Sequence, residues 1–337
     1  MNRDQLVAAL RGKKVLVTGA GGFIPSHVVE SLVDIGAEVR ALVRYNGRND
    51  RGCLDELSAD VQAAIEVVAG DVCDPHQMIR VVEGCDIVLH MAALIAIPYS
   101  YVAPQAYVAT NVGGTTNILE ACRFHGIDRV VVTSTSEVYG TARYVPIDEK
   151  HPLQGQSPYS ASKIGADKIA ESYFLSFELP VMTLRPFNTY GPRQSDRAVI
   201  PTIAAQLATG KDHIFLGAIT PVRDFLYVKD TARAFLHAAC VPGIEGETIH
   251  VGTGFGVTIG ETAERLMKIA GMDVPIRTQE QRMRPGGSEV MRLICDPTLA
   301  REKLDFVPEF DLDAGLTAVY ESVQQRMHAY RPGEYQV

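Results

Sequence analysis

Short runs of branched apolar residues alternate along the first part of the chain with longer stretches whose apolar positions recur every three or four residues. Residues 13–18 (KKVLVT), 38–43 (EVRALV), 65–68, 86–90 (DIVLH), 130–132 and 180–184 read as strands buried on both faces. Val28, Val29, Leu32 and Val33 mark a helix after the first run, and residues 104–125 and 158–177 read as long helices. Strand and helix alternating in this way predict an α/β fold built on a doubly wound parallel sheet. Beyond about residue 185 the rhythm gives way to turn-rich sequence, so the chain divides into 1–185 and a smaller region at 186–330. TIHVG at 248–252 reads as a strand returning to the sheet near 246–252, which would interleave the two regions.

Composition narrows the class. The 337 residues are 46% hydrophobic, enough for a large core, and the net charge of −8 argues against nucleic-acid or anionic membrane surfaces as partners. No apolar run is long enough to span a bilayer and residues 1–14 lack a signal peptide's apolar stretch, so a cytoplasmic protein is expected. The six cysteines stand singly, the nine histidines form no ligand cluster, and no metal site is expected.

The first strand runs into Gly19-Ala20-Gly21-Gly22-Phe23-Ile24-Pro25 and then a helix. Glycines let the backbone approach a pyrophosphate, and the helix N-terminus supplies N–H groups and partial positive charge, so this is a Rossmann-type dinucleotide site. Pro25 stands where a third glycine is usual; it suits a first helical turn but predicts a slightly displaced helix. After the second strand an acid usually meets the NAD ribose, but here Arg44 stands there, which favours the 2′-phosphate of NADP over NAD unless Arg44 is only a solvated loop charge. Asp71 and Val72 follow the third strand at the expected adenine edge, and Ala92-Ala93 after the fourth leave room for the nicotinamide half. His90 lies in an apolar run and reads as a packed core residue.

The fifth strand delivers Thr133-Ser134-Thr135-Ser136-Glu137, and Tyr159 and Lys163 follow at helical spacing. Hydroxyls after a strand also serve as helix caps, and Tyr-x-x-x-Lys recurs by chance; their conjunction behind a glycine turn is what points to redox chemistry. On one helix face the ammonium is expected near the phenol, favouring phenolate and making Tyr159 a base. Arg193, Arg197, Arg223, Arg282 and Arg284 gather in the second region and, if they converge, suit a diphosphate.

From residue 13 to about 304 the sequence resembles the extended short-chain dehydrogenase/reductases that act on nucleotide-sugars. TSEVYG around Glu137 resembles the sugar 4,6-dehydratase signature. Residues 93–101 (ALIAIPYSY), 44–50 (RYNGRND) and 185–195 (RPFNTYGPRQS) look most like the GDP- or UDP-N-acetylglucosamine 4,6-dehydratases of the legionaminic-acid type. The resemblance implies an NAD(P)-holding Rossmann domain with tightly bound cofactor, a smaller C-terminal domain that grips a nucleotide-diphosphate sugar, and a homodimer. It places Gly19, Gly22, Asp71, Tyr159 and Lys163 on the cofactor side, Thr135, Glu137 and Tyr159 at the reacting sugar, and Asn188, Arg193, Arg223 and Arg284 on the diphosphate. Ser136 stands where dTDP-glucose dehydratases carry aspartate, which makes the substrate side look like the GDP-mannose type. A UDP-glucuronate decarboxylase, a 4-epimerase and a non-catalytic dinucleotide-binding scaffold are the alternatives.

Overall fold

The computed structural model describes residues 1–283 and 285–332. Among these, β1 (Lys14–Thr18), β2 (Glu38–Arg44), β3 (Ile65–Gly70), β4 (Ile87–His90), β5 (Arg129–Thr133) and β6 (Val181–Pro186) join the strand Thr248–Val251 in one parallel sheet. No boundary lies more than two residues from the apolar run that announced it. Across the sheet the order is Thr248–Val251, β6, β5, β4, β1, β2, β3. The period of two divides the side chains: Val15, Val17, Ile87, Leu89 and Val131 face one layer, and Leu16, Val88, Val130 and Val132 face the other. Helices Arg3–Leu10, Phe23–Asp34, Val228–Cys240 and Thr298–Leu304 cover the first face. Pro75–Val82, Gly114–His125 and Pro158–Phe177 cover the second. Each fully buried Val or Leu contributes about 1.5–3 kcal/mol, which makes this two-sided packing the main source of stability.

Two departures from the sequence reading have local causes. The expected helix at 104–125 contains a π-helical stretch, Val108–Gly113, between Pro104–Tyr107 and Gly114–His125. Asn111 turns inward there, and Gly114 lets Val72 press against the helix; a Cβ on Gly114 would sit 2.7 Å from the Val72 side chain. The second departure concerns the division at residue 186. Besides the strand Thr248–Val251, the helices Val228–Cys240 and Thr298–Leu304 also pack on the sheet, because Ala232, Phe235, Leu236, Ala300 and Leu304 present an apolar face to it.

The remainder of the second region has its own core, where Ile203, Leu207, Leu266, Leu316 and Val319 join the helices Val199–Ala208, Ile259–Ala270 and Leu312–Gln325. Two short parallel strands, Asn188–Tyr190 and Phe225–Tyr227, line its side of the crevice. Asp224 fixes this wall: fully buried, its carboxylate accepts from the N–H groups of Thr253, Gly254 and Cys295 and from the Thr253 hydroxyl. Order in the sheet reverses between β1 and β4, so the crevice opens at the carboxyl ends of those strands.

Candidate active site

The phosphate cradle follows from the glycines. Gly19 has φ +67°, and a Cβ there would meet the Ala92 Cα at 2.8 Å, so the turn and the close approach to the β4 exit both require glycine. Gly22 caps the helix Phe23–Asp34 without any side-chain hydrogen bond, which leaves the first-turn N–H groups for an anion. Pro25 is the third residue of that helix, where an N–H would have no intrahelical partner, and it costs the cradle no hydrogen bond. Phe23 and Ile24 begin the helix, half-buried, and pack toward the second region's core. A pyrophosphate-bearing dinucleotide fits this cradle.

The rim residues lie at neighbouring strand ends. Arg44 pairs in register with Gly70; its side chain is 79% exposed and its Nε lies 3.9 Å from Asp71 Oδ2. Asp71 accepts from the Cys73 N–H at 2.9 Å. Val72 is buried, its carbonyl held by Asn117 at 2.9 Å. Ala92, followed by half-buried Ala93, donates its N–H to Thr18 Oγ1 at 3.0 Å. His90 lies beneath, its ring nitrogens 2.9 Å from Thr18 Oγ1 and 3.0 Å from Thr115 Oγ1; burial holds its pKa down at about 3.

Such a histidine predicts acid lability. His27 is likewise held at about 3, by burial and then by Arg193. Both fold as neutral rings, so the unfolded chain takes up protons that the native state refuses. Their stabilisation is present above about pH 6.5 and is lost below it, by about 2 kcal/mol per histidine between about pH 7.5 and 5. Urea unfolding midpoints should therefore drop steeply across that interval; a flat profile would contradict it.

The end of β5 divides its side chains between cleft and interior. Thr135 caps the short turn Ser136–Tyr139, accepting from the Glu137 N–H at 3.3 Å, and is hydrogen-bonded to the Tyr159 hydroxyl. Glu137 is half-buried and lines the cleft, whereas Ser136 is buried. Ser157 caps the helix Pro158–Phe177, whose inward face carries Tyr159, Lys163 and Asp167. The expected depression of the Tyr159 pKa is not what the free protein has. Burial raises it; the Thr135 hydrogen bond lowers it in part, and the negative charges of Glu137 and Asp167 raise it further. Lys163 does not offset this, because its Nζ donates instead to the Thr133 carbonyl at 2.5 Å. Burial lowers the pKa of Lys163 itself, against the opposing charge of Asp167.

The second region completes a cleft of about 350 Å³, in which Glu137, Asn188, Gln194, Arg197, Arg223 and Arg282 meet Leu216, Pro221, Phe225 and Ile259. Arg223 is buried, with Nη2 3.6 Å from Glu289 Oε1. Arg193 does not join it. With φ +71°, it turns back to the helix Phe23–Asp34, where Nη2 reaches Glu30 Oε2 at 2.7 Å and His27 Nδ1 at 2.5 Å. The pull of that carboxylate and ring makes Arg193 a strut between the regions. Arg284 lies outside the described residues.

Sequence reasoning missed Asn111, which holds the loop after β4 by bonding the Leu94 N–H at 2.8 Å and carbonyl at 3.0 Å, and reaches Ser162 at 2.9 Å. Its signal was a polar residue on the inward face of an apolar-periodic helix beside Gly113-Gly114. It also missed Asp167, a charge one turn beyond Lys163 on a buried face.

A dinucleotide cradle opening onto a Tyr-x-x-x-Lys helix, with a second region closing the crevice, defines an extended short-chain dehydrogenase/reductase. The family model for GDP-mannose 4,6-dehydratase matches residues 16–319, and the chain belongs to that family of nucleotide-sugar 4,6-dehydratases. It is 37% identical to a dTDP-glucose 4,6-dehydratase of an Actinoplanes species over 265 residues, 77% of this chain and 82% of the relative. A dTDP-glucose 4,6-dehydratase from Streptomyces venezuelae, solved with NAD and TYD bound, superposes with a TM-score of 0.85 at 29% identity, covering 94% of this chain and 99% of that one. The UDP-N-acetylglucosamine 4-epimerase of Methanobrevibacter ruminantium, in complex with UDP-N-acetylmuramic acid, gives the same TM-score of 0.85 at 27% identity over 94% of this chain and 100% of the other.

Proposed function

We propose that this protein removes water from a nucleoside-diphosphate hexose to give the 4-keto-6-deoxy sugar, with GDP- or UDP-N-acetylglucosamine as substrate. The observation that carries this reading is the Glu137 carboxylate in the same cleft as Asn188, Arg197, Arg223 and Arg282, on a turn that Thr135 ties to Tyr159. A diphosphate held by the arginines would bring its hexose toward that carboxylate.

Oxidised NAD(P), when bound, supplies a hydride acceptor and a positive charge. Tyr159 takes the proton from the sugar O4 as C4 is oxidised, and Thr135 orients the same oxygen. The free protein's phenol is held protonated by burial, so its ionisation requires positive charge at hand; we assign part of that charge in the holoenzyme to Lys163, whose ammonium is bonded to the Thr133 carbonyl in the free protein. The 4-ketone acidifies the C5 hydrogen. Glu137 takes that proton and returns it to the departing O6, so one water leaves and the carboxylate is regenerated. The hydrogen taken from C4 is then returned to C6 of the enone, and C5 regains a proton in place of the one Glu137 removed, which gives the 4-keto-6-deoxy sugar with no net reductant consumed.

The acetamido assignment rests on the resemblance of residues 93–101, whose Pro98 lines the cleft, and of residues 44–50 and 185–195. Mass spectrometry of products from a panel of GDP-, UDP-, dTDP- and CDP-sugars tests it. Loss of one water from GDP- or UDP-N-acetylglucosamine is expected; dTDP-glucose as the best substrate would refute it. A 4-epimerase is the second reading, favoured by the structural likeness to the epimerase above.

Two finer readings accompany the main one. Exposed Arg44 supports NADP. Arg44→Ala should weaken NADP binding about tenfold or more and leave NAD nearly unchanged, as isothermal titration of both would reveal. Phe124, Leu175 and Phe177 are exposed apolar side chains on the helix pair Gly114–His125 and Pro158–Phe177, and they suit a second copy of the chain. Light scattering should give twice the chain mass; a monomer at micromolar concentration would contradict this.

A further inference from the structure

Below the cleft, the same turn that presents Thr135 and Glu137 sends Ser134 and Tyr139 into a buried polar group. Asp167 Oδ2 accepts from Ser134 Oγ at 2.6 Å and from Arg185 Nη2 at 2.6 Å. Arg185 Nε donates to Ser134 Oγ at 3.2 Å, and its Nη1 donates to the Tyr139 hydroxyl. Tyr139 in turn donates to His250 Nε2 at 2.5 Å, and His250 passes a hydrogen bond from Nδ1 to the Ile147 carbonyl at 3.2 Å. Asp167 and Arg185 are 5% and 4% exposed, so a pair this deep is costly unless every polar atom is used. One is not: Asp167 Oδ1 is buried without a hydrogen-bond partner, one helical turn from Lys163.

We propose that Asp167 is a positioning residue for the Tyr159–Lys163 pair: its carboxylate, fixed from below by Ser134 and Arg185, keeps Oδ1 free for the Lys163 ammonium. The inference deepens the reading above and rests on that pair acting in the oxidation at C4. Lys163 has two donors beyond the one spent on the Thr133 carbonyl; it makes no ion pair with Asp167 in this structure, and turning one of those donors to Oδ1 would anchor the ammonium without drawing the chain out of the site. The charged and titratable groups around it are Asp167 and Tyr159 on its own helix, Glu137 on the β5 turn, Arg185 on β6 and neutral His90 on β4. Of these, Asp167 favours the protonated forms of both Lys163 and Tyr159, and Arg185 opposes it at the lysine.

The variant Asp167→Asn removes the charge and keeps the shape. In the holoenzyme kcat should fall about tenfold to a hundredfold with KM little changed, and both limbs of the pH profile should move to lower pH by about one unit. Asp167→Glu should restore most of the rate. In the cofactor-free protein, the Lys163 ammonium followed by 15N NMR should titrate lower in Asp167→Asn than in the wild type. A fall in rate with an unmoved profile and an unmoved Lys163 titration would overturn the proposal, leaving Asp167 a structural ion. If Asp167→Asn does not fold, a crystal structure of the wild-type holoenzyme decides: Nζ within about 4 Å of Oδ1 supports the proposal, and Oδ1 occupied by water or another group overturns it. The NMR titration contains no sugar, so failure of the dehydratase reading alone would leave its shift in place.

Discussion

Glu137→Gln should stop water elimination while leaving oxidation at C4 intact, so that a stoichiometric burst of reduced cofactor accumulates on the protein and goes no further. Turnover is expected to fall by about 10²- to 10⁴-fold, the usual worth of a positioned general acid–base group. Glutamine keeps the volume and shape of the side chain at the cleft wall, so the loss reports proton transfer. Stopped-flow absorbance checks the burst, and exchange of solvent deuterium into C5 should vanish with it. Product formation at the wild-type rate would remove Glu137 from the chemistry and with it the reason for placing the sugar against the β5 turn.

Tyr159→Phe should fail one step earlier. Without the phenol the O4 proton has no acceptor, and the hydroxyl that Thr135 bonds is gone, so a loss of about 10³-fold or more is expected with no burst of reduced cofactor. Tyr159 is buried against Tyr107 with ring centroids 6.2 Å apart, and phenylalanine fills that space, so the fold and cofactor affinity should be retained. The two variants together should be no slower than Tyr159→Phe alone, because elimination waits on oxidation. A burst in Tyr159→Phe equal to that in Glu137→Gln would assign the first proton transfer to another group.

The strands and the helix Pro158–Phe177 were legible because one physical rule dominates each. Strands buried on both faces write themselves as apolar runs, and Ser157-Pro158 marks a helix start by capping chemistry. The glycine turn was equally plain, since φ +67° and a backbone contact at Gly19 leave few other residues possible. What the sequence withheld depends on long-range placement. Arg193 belongs to a turn rich in phosphate-binding residue types, yet its left-handed backbone and the carboxylate of Glu30 send it away from the cleft. The tie between Lys163 and the Thr133 carbonyl spans 30 residues, and no helical spacing reveals that this acceptor competes with the phenol. Helix Val228–Cys240 returns to the sheet because Ala232, Phe235 and Leu236 match its apolar face, and amphipathic spacing alone does not name the surface that receives it.

Elimination at C5 and C6, driven by oxidation at C4, is the core of the account, and the fate of one hydrogen tests it most directly. With the nucleotide-sugar deuterated at C4, mass spectrometry and NMR of the product should find the deuterium at C6 of the 4-keto-6-deoxy sugar. Deuterium retained at C4 of an inverted sugar, or released with free cofactor, would contradict it, the first outcome marking an epimerase and the second a simple dehydrogenase.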